Sequence, residues 1–138
     1  MARRSRAREV ALQLLFQRDF NPRMVRADLE RFVHGRLRDP DLESFCLGLY
    51  DGVVAHQADL DQRLTAAAEN WRLARMAAVD RNVLRLGGYE LLHAGDRPAS
   101  VVLDEAIELA RRFGSAGSPA FVNGVLDRLH KERMKEEG

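Results

Sequence analysis

Four arginines, Arg3, Arg4, Arg6 and Arg8, fall within the first eight residues, and no acidic residue stands among them. Guanidinium groups set this densely suit a polyanion, because each presents a planar fork of donors that matches phosphate oxygens. A second chemistry-bearing residue stands far along the chain. Phe121 follows the small residues Gly114-Ser115-Ala116-Gly117 and a helix start at Ser118-Pro119. Its ring lies off the apolar stripe of that helix, near the helix's positive end. Arginine with an exposed aromatic is what single-stranded RNA requires, since phosphates take charge and unstacked bases take a flat partner. Each feature also has a plainer reading: the arginines as a solvated basic end, and Phe121 as a residue that finishes the core.

Catalytic chemistry finds no comparable pattern. His34, His56, His93 and His130 are scattered, with no HExxH and no carboxylates at metal-ligand spacing. No serine sits in a nucleophile elbow, and neither Gly87-Gly88 nor Gly114 to Gly117 has a lysine at P-loop spacing. Glu105 and Glu108 are followed one turn on by Arg111 and Arg112, the pattern of a solvated, ion-paired helix face. The expectation is a protein that is not an enzyme and that needs no cofactor and no metal. The lone cysteine, Cys46, lies on an apolar stripe and reads as inert core. Net charge is only +1, so any polyanion site is local rather than global. No apolar run is long enough to cross a bilayer, and the N-terminus lacks the apolar stretch of a secretory signal. A reducing cytoplasm is the expected location.

The elements that must position these residues are helical throughout. The first helix spans about Arg4 to Asp19, with Ala7, Val10, Ala11, Leu14 and Leu15 on one face and Leu12 and Phe16 pointing away from it. Its arginines sit where the helix macrodipole disfavours cations, so helix stability does not explain them. Asn21-Pro22 opens a second helix carrying Val25, Leu29, Phe32, Val33 and Leu37. Asp39-Pro40 starts a third, with Leu42, Phe45, Cys46, Leu49, Tyr50, Val53 and Val54 inward. A shorter helix over Asp59 to Glu69 precedes Trp71, which reads as a core plug at the join. A fifth helix runs from about Ala77 to His93. Gly87-Gly88 inside it costs about 1 kcal/mol per glycine and so marks a close approach of another helix. After the turn Ala94 to Pro98, the sixth helix turns Leu103, Ala106, Ile107, Ala110 and Phe113 inward, and Gly114 should cap it in a left-handed conformation. Ser118 should cap the seventh, which buries Val122, Val125, Leu126 and Leu129; the charged tail 131–138 should fray. No strand pattern occurs. The prediction is one all-α domain over 1–138, a seven-helix bundle without a sheet, with Leu14, Leu49, Val53, Val83, Ile107 and Leu126 in its core.

Four segments, RAREVALQLLF, VDRNVLRLGGYEL, EAIELARRFG and FVNGVLDR, together resemble the NusB family of bacterial transcription antitermination factors. The resemblance implies seven helices in two packed sub-bundles. It implies binding to the boxA element of nascent ribosomal RNA transcripts together with NusE, which is also a ribosomal protein. That assembly helps RNA polymerase read through terminators. The family's arginine-rich motif falls on Arg3, Arg4, Arg6 and Arg8, interrupted by Ser5, and its RNA-contacting loop and aromatic fall on Ser118 and Phe121. Ala120 and Gly117 stand where some relatives carry lysine and an acid. The NusE-facing surface falls on Asp80, with Leu12 and Phe16 on the first helix. Some relatives form homodimers that mask the RNA surface, and either state stays open here. Two alternatives keep the fold: a helical protein–protein adaptor, and the detached RNA-binding domain of a ribosomal-RNA cytosine methyltransferase. Exposure of Phe121 separates an adaptor from an RNA binder.

Overall fold

Apolar residues recur at three- and four-residue spacing along the chain, and the computed structural model, which describes residues 3–137, turns them into seven α-helices. These are α1 (Arg3–Phe20), α2 (Arg26–Leu37), α3 (Pro40–Ala55), α4 (Gln57–Ala67), α5 (Ala78–His93), α6 (Ala99–Phe113) and α7 (Ser118–Glu137). A single 3₁₀ turn, Leu73–Arg75, lies between α4 and α5, and no strand occurs among the described residues. α7 stays helical through the charged tail as far as Glu137; Gly138 lies outside the described residues.

The helices form two sub-bundles. α1, α2 and α3 make one, and α4 to α7 make the other, with α5 packing against α1 and α3 across the seam. Leu14, Leu49, Val53, Val83 and Leu126 are all buried at the centre, as expected. Ile107 is only half-buried. The inward face of α6 is Val102, Ala106, Leu109 and Ala110, and Leu103 packs at its edge. Trp71 is 58% exposed and plugs nothing.

Local chemistry explains some of the helix ends. Asp39 caps α3 through its side chain, which accepts from the Asp41 N–H at 2.9 Å and the Leu42 N–H at 3.2 Å, and Pro40 follows at the first helical position. α2 starts later than Asn21-Pro22 suggests, because the Asn21 N–H donates back to Gln17 at 2.9 Å and so still belongs to the end of α1. Gly114 is extended, with φ −96°, and not left-handed. Its requirement is steric: a Cβ there would sit 2.5 Å from Ser118 Oγ and 2.7 Å from the Ala110 carbonyl oxygen.

Glycines set close approaches both within a sub-bundle and across the seam. A Cβ on Gly87 would lie 2.7 Å from Leu126 Cδ1, so α5 meets α7 there as the glycine pair suggests. Gly52 on α3 lies directly beneath the Tyr89 ring of α5. Beside this contact, the His56 and His93 rings stack at 4.0 Å with 16° between their planes, and Tyr89 lies 5.7 Å from His93. Burial and the neighbouring His56 hold the His93 imidazole below its ordinary value, although Asp59, 3.8 Å from His93 Nε2, opposes the shift.

Two outcomes follow. Gly48, also inside α3, faces open space, where a Cβ would meet nothing within 4 Å, so Gly48→Ala should stabilise by about 0.5–1 kcal/mol. Gly52→Ala, driven into the Tyr89 ring, should destabilise by about 1–3 kcal/mol; urea denaturation of both variants measures the contrast. For His93, the unfolded chain takes up its proton before the folded chain does on acidification. Stability is therefore full above the unfolded value of about 6.5 and declines as pH drops below it. Melting curves should show this decline, and His93→Gln should flatten it; an unaltered pH profile in the variant would contradict the linkage.

Candidate nucleic-acid and protein interfaces

The arginines of α1 do not form a free arm. Arg8 points inward and is only 4% exposed. Its Nε and Nη2 each lie 2.9 Å from the Glu90 carboxylate, which is itself 2% exposed. Arg8 therefore has no face left for a phosphate, which corrects its assignment as an RNA contact. Arg3 pairs with Asp39, and Arg6 Nη1 lies 3.1 Å from Glu9. Glu9 also meets Arg112 at 3.3 Å, so a chain of charges runs from α1 to the last turn of α6. Arg4 is exposed, makes no ion pair among the described residues, and lies over the Phe45 ring at 4.5 Å.

Ser118 is likewise enclosed. It is 2% exposed, and its Oγ accepts from the Ser115 N–H at 2.9 Å and lies 3.2 Å from Ser115 Oγ. The Phe121 N–H donates to the Gly117 carbonyl at 3.2 Å, so Ser118 is the first helical residue and not the cap. Its hydroxyl ties the turn together and offers nothing to a ligand. Phe121 is half-buried. Its ring meets Trp71 edge-on, with centroids 6.4 Å apart and planes at 62°. Trp71 in turn stands in a shallow cavity of about 420 Å³ with Asn70, Arg72 and Arg75. Reading the join as a core plug misses this tryptophan as a surface residue. The available signal is its setting, ENWR, with polar and charged neighbours and no apolar stripe through it. Among the described residues no hydrogen bond, ion pair or ring contact joins the α1 arginines directly to the Ser118–Phe121 turn; the Arg6–Glu9–Arg112 chain stops two residues before Gly114.

A different surface gathers Leu12 and Phe16, and Asp80 adjoins one of its lining residues in sequence. Leu12 is buried, not outward-facing, and lines an open groove of about 350 Å³. Phe16 stands in the same groove at 37% exposure, facing Phe32, Val79 and Phe113. Asp80, next to Val79, occupies the first turn of α5, whose N-cap Ala77 supplies no side-chain cap. Its Oδ1 is buried without a hydrogen-bond partner among the described residues. An anionic group is favoured at that helix end, and this oxygen remains able to accept from a bound donor.

Among the described residues no group of three His, Cys, Asp or Glu side chains could hold a metal ion, and no helix is long and apolar enough to cross a membrane. Burial pushes the Cys46 thiol up to about 12, as befits an inert core residue.

The NusB family model matches residues 5–131. The chain belongs to the NusB family. It is 46% identical over 134 residues to the transcription antitermination protein NusB of Solibacter usitatus, covering 96% of this chain and 91% of that protein. Solved structures agree with the fold. T. maritima NusB superposes with a TM-score of 0.84 at 37% identity, covering 100% of this chain and 99% of the other. A crystal structure of the antitermination factors NusB and NusE in complex with dsRNA gives a TM-score of 0.86 at 25% identity, covering 96% and 98%. This chain is thus an all-helical transcription antitermination factor of a non-enzymatic family.

The Arg8–Glu90 pair has a measurable consequence within this NusB-family fold. Arg8→Ala leaves a buried carboxylate without its partner and should cost about 3–5 kcal/mol of stability, whereas replacing both residues by leucine should restore most of it. Chemical denaturation of the single and double variants checks this, and a single variant of full stability would contradict it.

Proposed function

We propose that this NusB-family chain binds the boxA element of nascent ribosomal RNA transcripts together with NusE, and that the assembly helps RNA polymerase read through terminators. It does so in the cytoplasm as one helical domain, with RNA meeting Phe121 and the exposed arginines of α1, and NusE meeting Phe16 and Asp80. The observation that carries the RNA half is the exposed Trp71 ring, braced edge-on by Phe121 and flanked by Arg72 and Arg75. An exposed tryptophan also suits a protein interface, but Arg72 and Arg75 beside this one make no ion pair among the described residues and so favour a phosphate-bearing partner, and a base stacked on such a ring gains about 1–3 kcal/mol. The protein half rests on the aromatic groove lined by Phe16 and Val79 and on the adjoining residue Asp80, whose Oδ1 has no hydrogen-bond partner among the described residues. A partner's aliphatic or aromatic side chain would fill the groove while its N–H or ammonium group satisfies the carboxylate.

Binding of a fluorescent boxA-like RNA, measured by anisotropy with and without NusE, tests both halves. Trp71→Ala should weaken RNA binding by about 1–3 kcal/mol with little change in salt dependence. Asp80→Lys should weaken NusE binding while leaving the melting temperature nearly unchanged, because an acid at a helix start contributes at most about 1 kcal/mol there. RNA affinity that ignores Trp71, or NusE affinity that ignores Asp80, would sink the corresponding half.

A further inference from the structure

Phe45 on α3 carries three guanidinium groups: Arg4 at 4.5 Å from the ring centroid, Arg97 at 4.7 Å and Arg8 at 5.2 Å. Arg97 comes from the turn between α5 and α6, far from the N-terminus in sequence. A cation over an aromatic face is favourable, but three gathered on one ring repel one another and need counter-charge. Only two carboxylates serve them among the described residues. Glu90 is taken up by a bidentate pair with Arg8, and Glu105 lies 3.8 Å from Arg8 while accepting from the Ser5 hydroxyl. Arg97 reaches Glu90 only at 3.5 Å, and its Nε and Nη1 are buried without a hydrogen bond; 18% of the side chain remains accessible. Arg4 has no ion pair among the described residues. The cluster thus holds one positive charge more than its acids neutralise, on the two arginines that still reach the surface.

We infer that Arg4 and Arg97 together form a phosphate clamp over Phe45, which takes the phosphodiester backbone of single-stranded RNA. This rests on the RNA-binding reading above and changes its anatomy, since the backbone is held by a composite of α1 and the α5–α6 turn instead of by a linear arm. α6 begins immediately after Arg97, with no side-chain cap at Pro98 and no acid in its first turn, so its positive end reinforces the same field.

The experiment follows the salt dependence of anisotropy for a boxA-like RNA and an unrelated single-stranded RNA, with melting curves for every variant. Arg97→Gln and Arg4→Gln should each reduce the log–log salt slope by roughly 0.7 on both RNAs, and the double variant by about twice that. Arg97→Lys, which keeps the charge, should keep the slope. An unchanged slope in Arg97→Gln beside a reduced one in Arg4→Gln would overturn the clamp and leave the RNA reading standing. Equal losses in Arg97→Lys and Arg97→Gln with a lowered melting temperature would also overturn it, by assigning Arg97 to packing. Absence of RNA binding by the unaltered protein would overturn both.

Discussion

The ion pair between Arg8 and Glu90 is the constraint on which the arrangement of α1 depends. Two charges removed from water cost several kcal/mol each, and only a bidentate geometry of the kind seen here offsets that loss. A pair of well-packed apolar residues would be at least as stabilising. What the pair contributes is register. A rotation of α1 by one residue would break the bidentate pair and leave Glu90 with only the more distant Arg97, so the two sub-bundles meet in one relative orientation.

The far end of α1 is tied to the same partner helix. Asp19 accepts from Arg81 Nη2 at 2.7 Å and from Asn82 Nδ2 at 2.8 Å. Burial alone would raise the Asp19 carboxyl, but these hydrogen bonds and the positive charge of Arg81 outweigh it and hold the group below its ordinary value. α1 is therefore pinned to α5 at both ends. The consequence reaches function, because the residues that tether Asp19 directly follow Asp80. The same contacts that fix the helix pair also fix the distance between Phe16 and Val79, which line the groove from α1 and α5. Stability and a binding surface are set by one group of contacts.

How much of this is legible in the chain depends on the range of the physics. The Asp39-Pro40 cap and the core stripes of α3 and α7 are local, and sequence spacing alone places them. Gly87 reveals a close helix approach because its cost within a helix demands a reason. Arg8 misleads because its counter-charge stands on another helix; a run of arginines without a nearby acid looks free until the fold supplies one. Ser118 has the composition of a cap, yet its hydroxyl serves the turn before it, a one-residue offset that spacing does not resolve. Leu12 fails for a related reason: off the main stripe of α1, it lies in a groove that Phe32 of α2, Val79 of α5 and Phe113 of α6 complete, and the spacing within α1 does not reveal them. Trp71 is misplaced by the rule that large aromatics at helix joins fill cores, which holds only where an apolar pocket exists to receive them.

The charge economy of the molecule also shapes how it can hold a polyanion. With 22 basic against 21 acidic side chains, most arginines are engaged by carboxylates within the chain. A minority remain for phosphates: Arg4, Arg18, Arg23, Arg36, Arg38, Arg72 and Arg75 make no ion pair among the described residues, and they are spread over several helices and turns. Counterion release scales with the number of phosphates neutralised, so a surface with few free cations yields a shallow salt dependence and a small sequence-independent affinity. On the proposed reading, discrimination then comes from stacked bases and from the surface shared with a protein partner, each modest by itself. Two weak contacts on one rigid scaffold act together because the second closes without the translational cost of the first. An antitermination factor built in this way would engage RNA firmly only where its protein partner is also in place, which ties its action to an assembled complex and spares it from the many other single strands it meets.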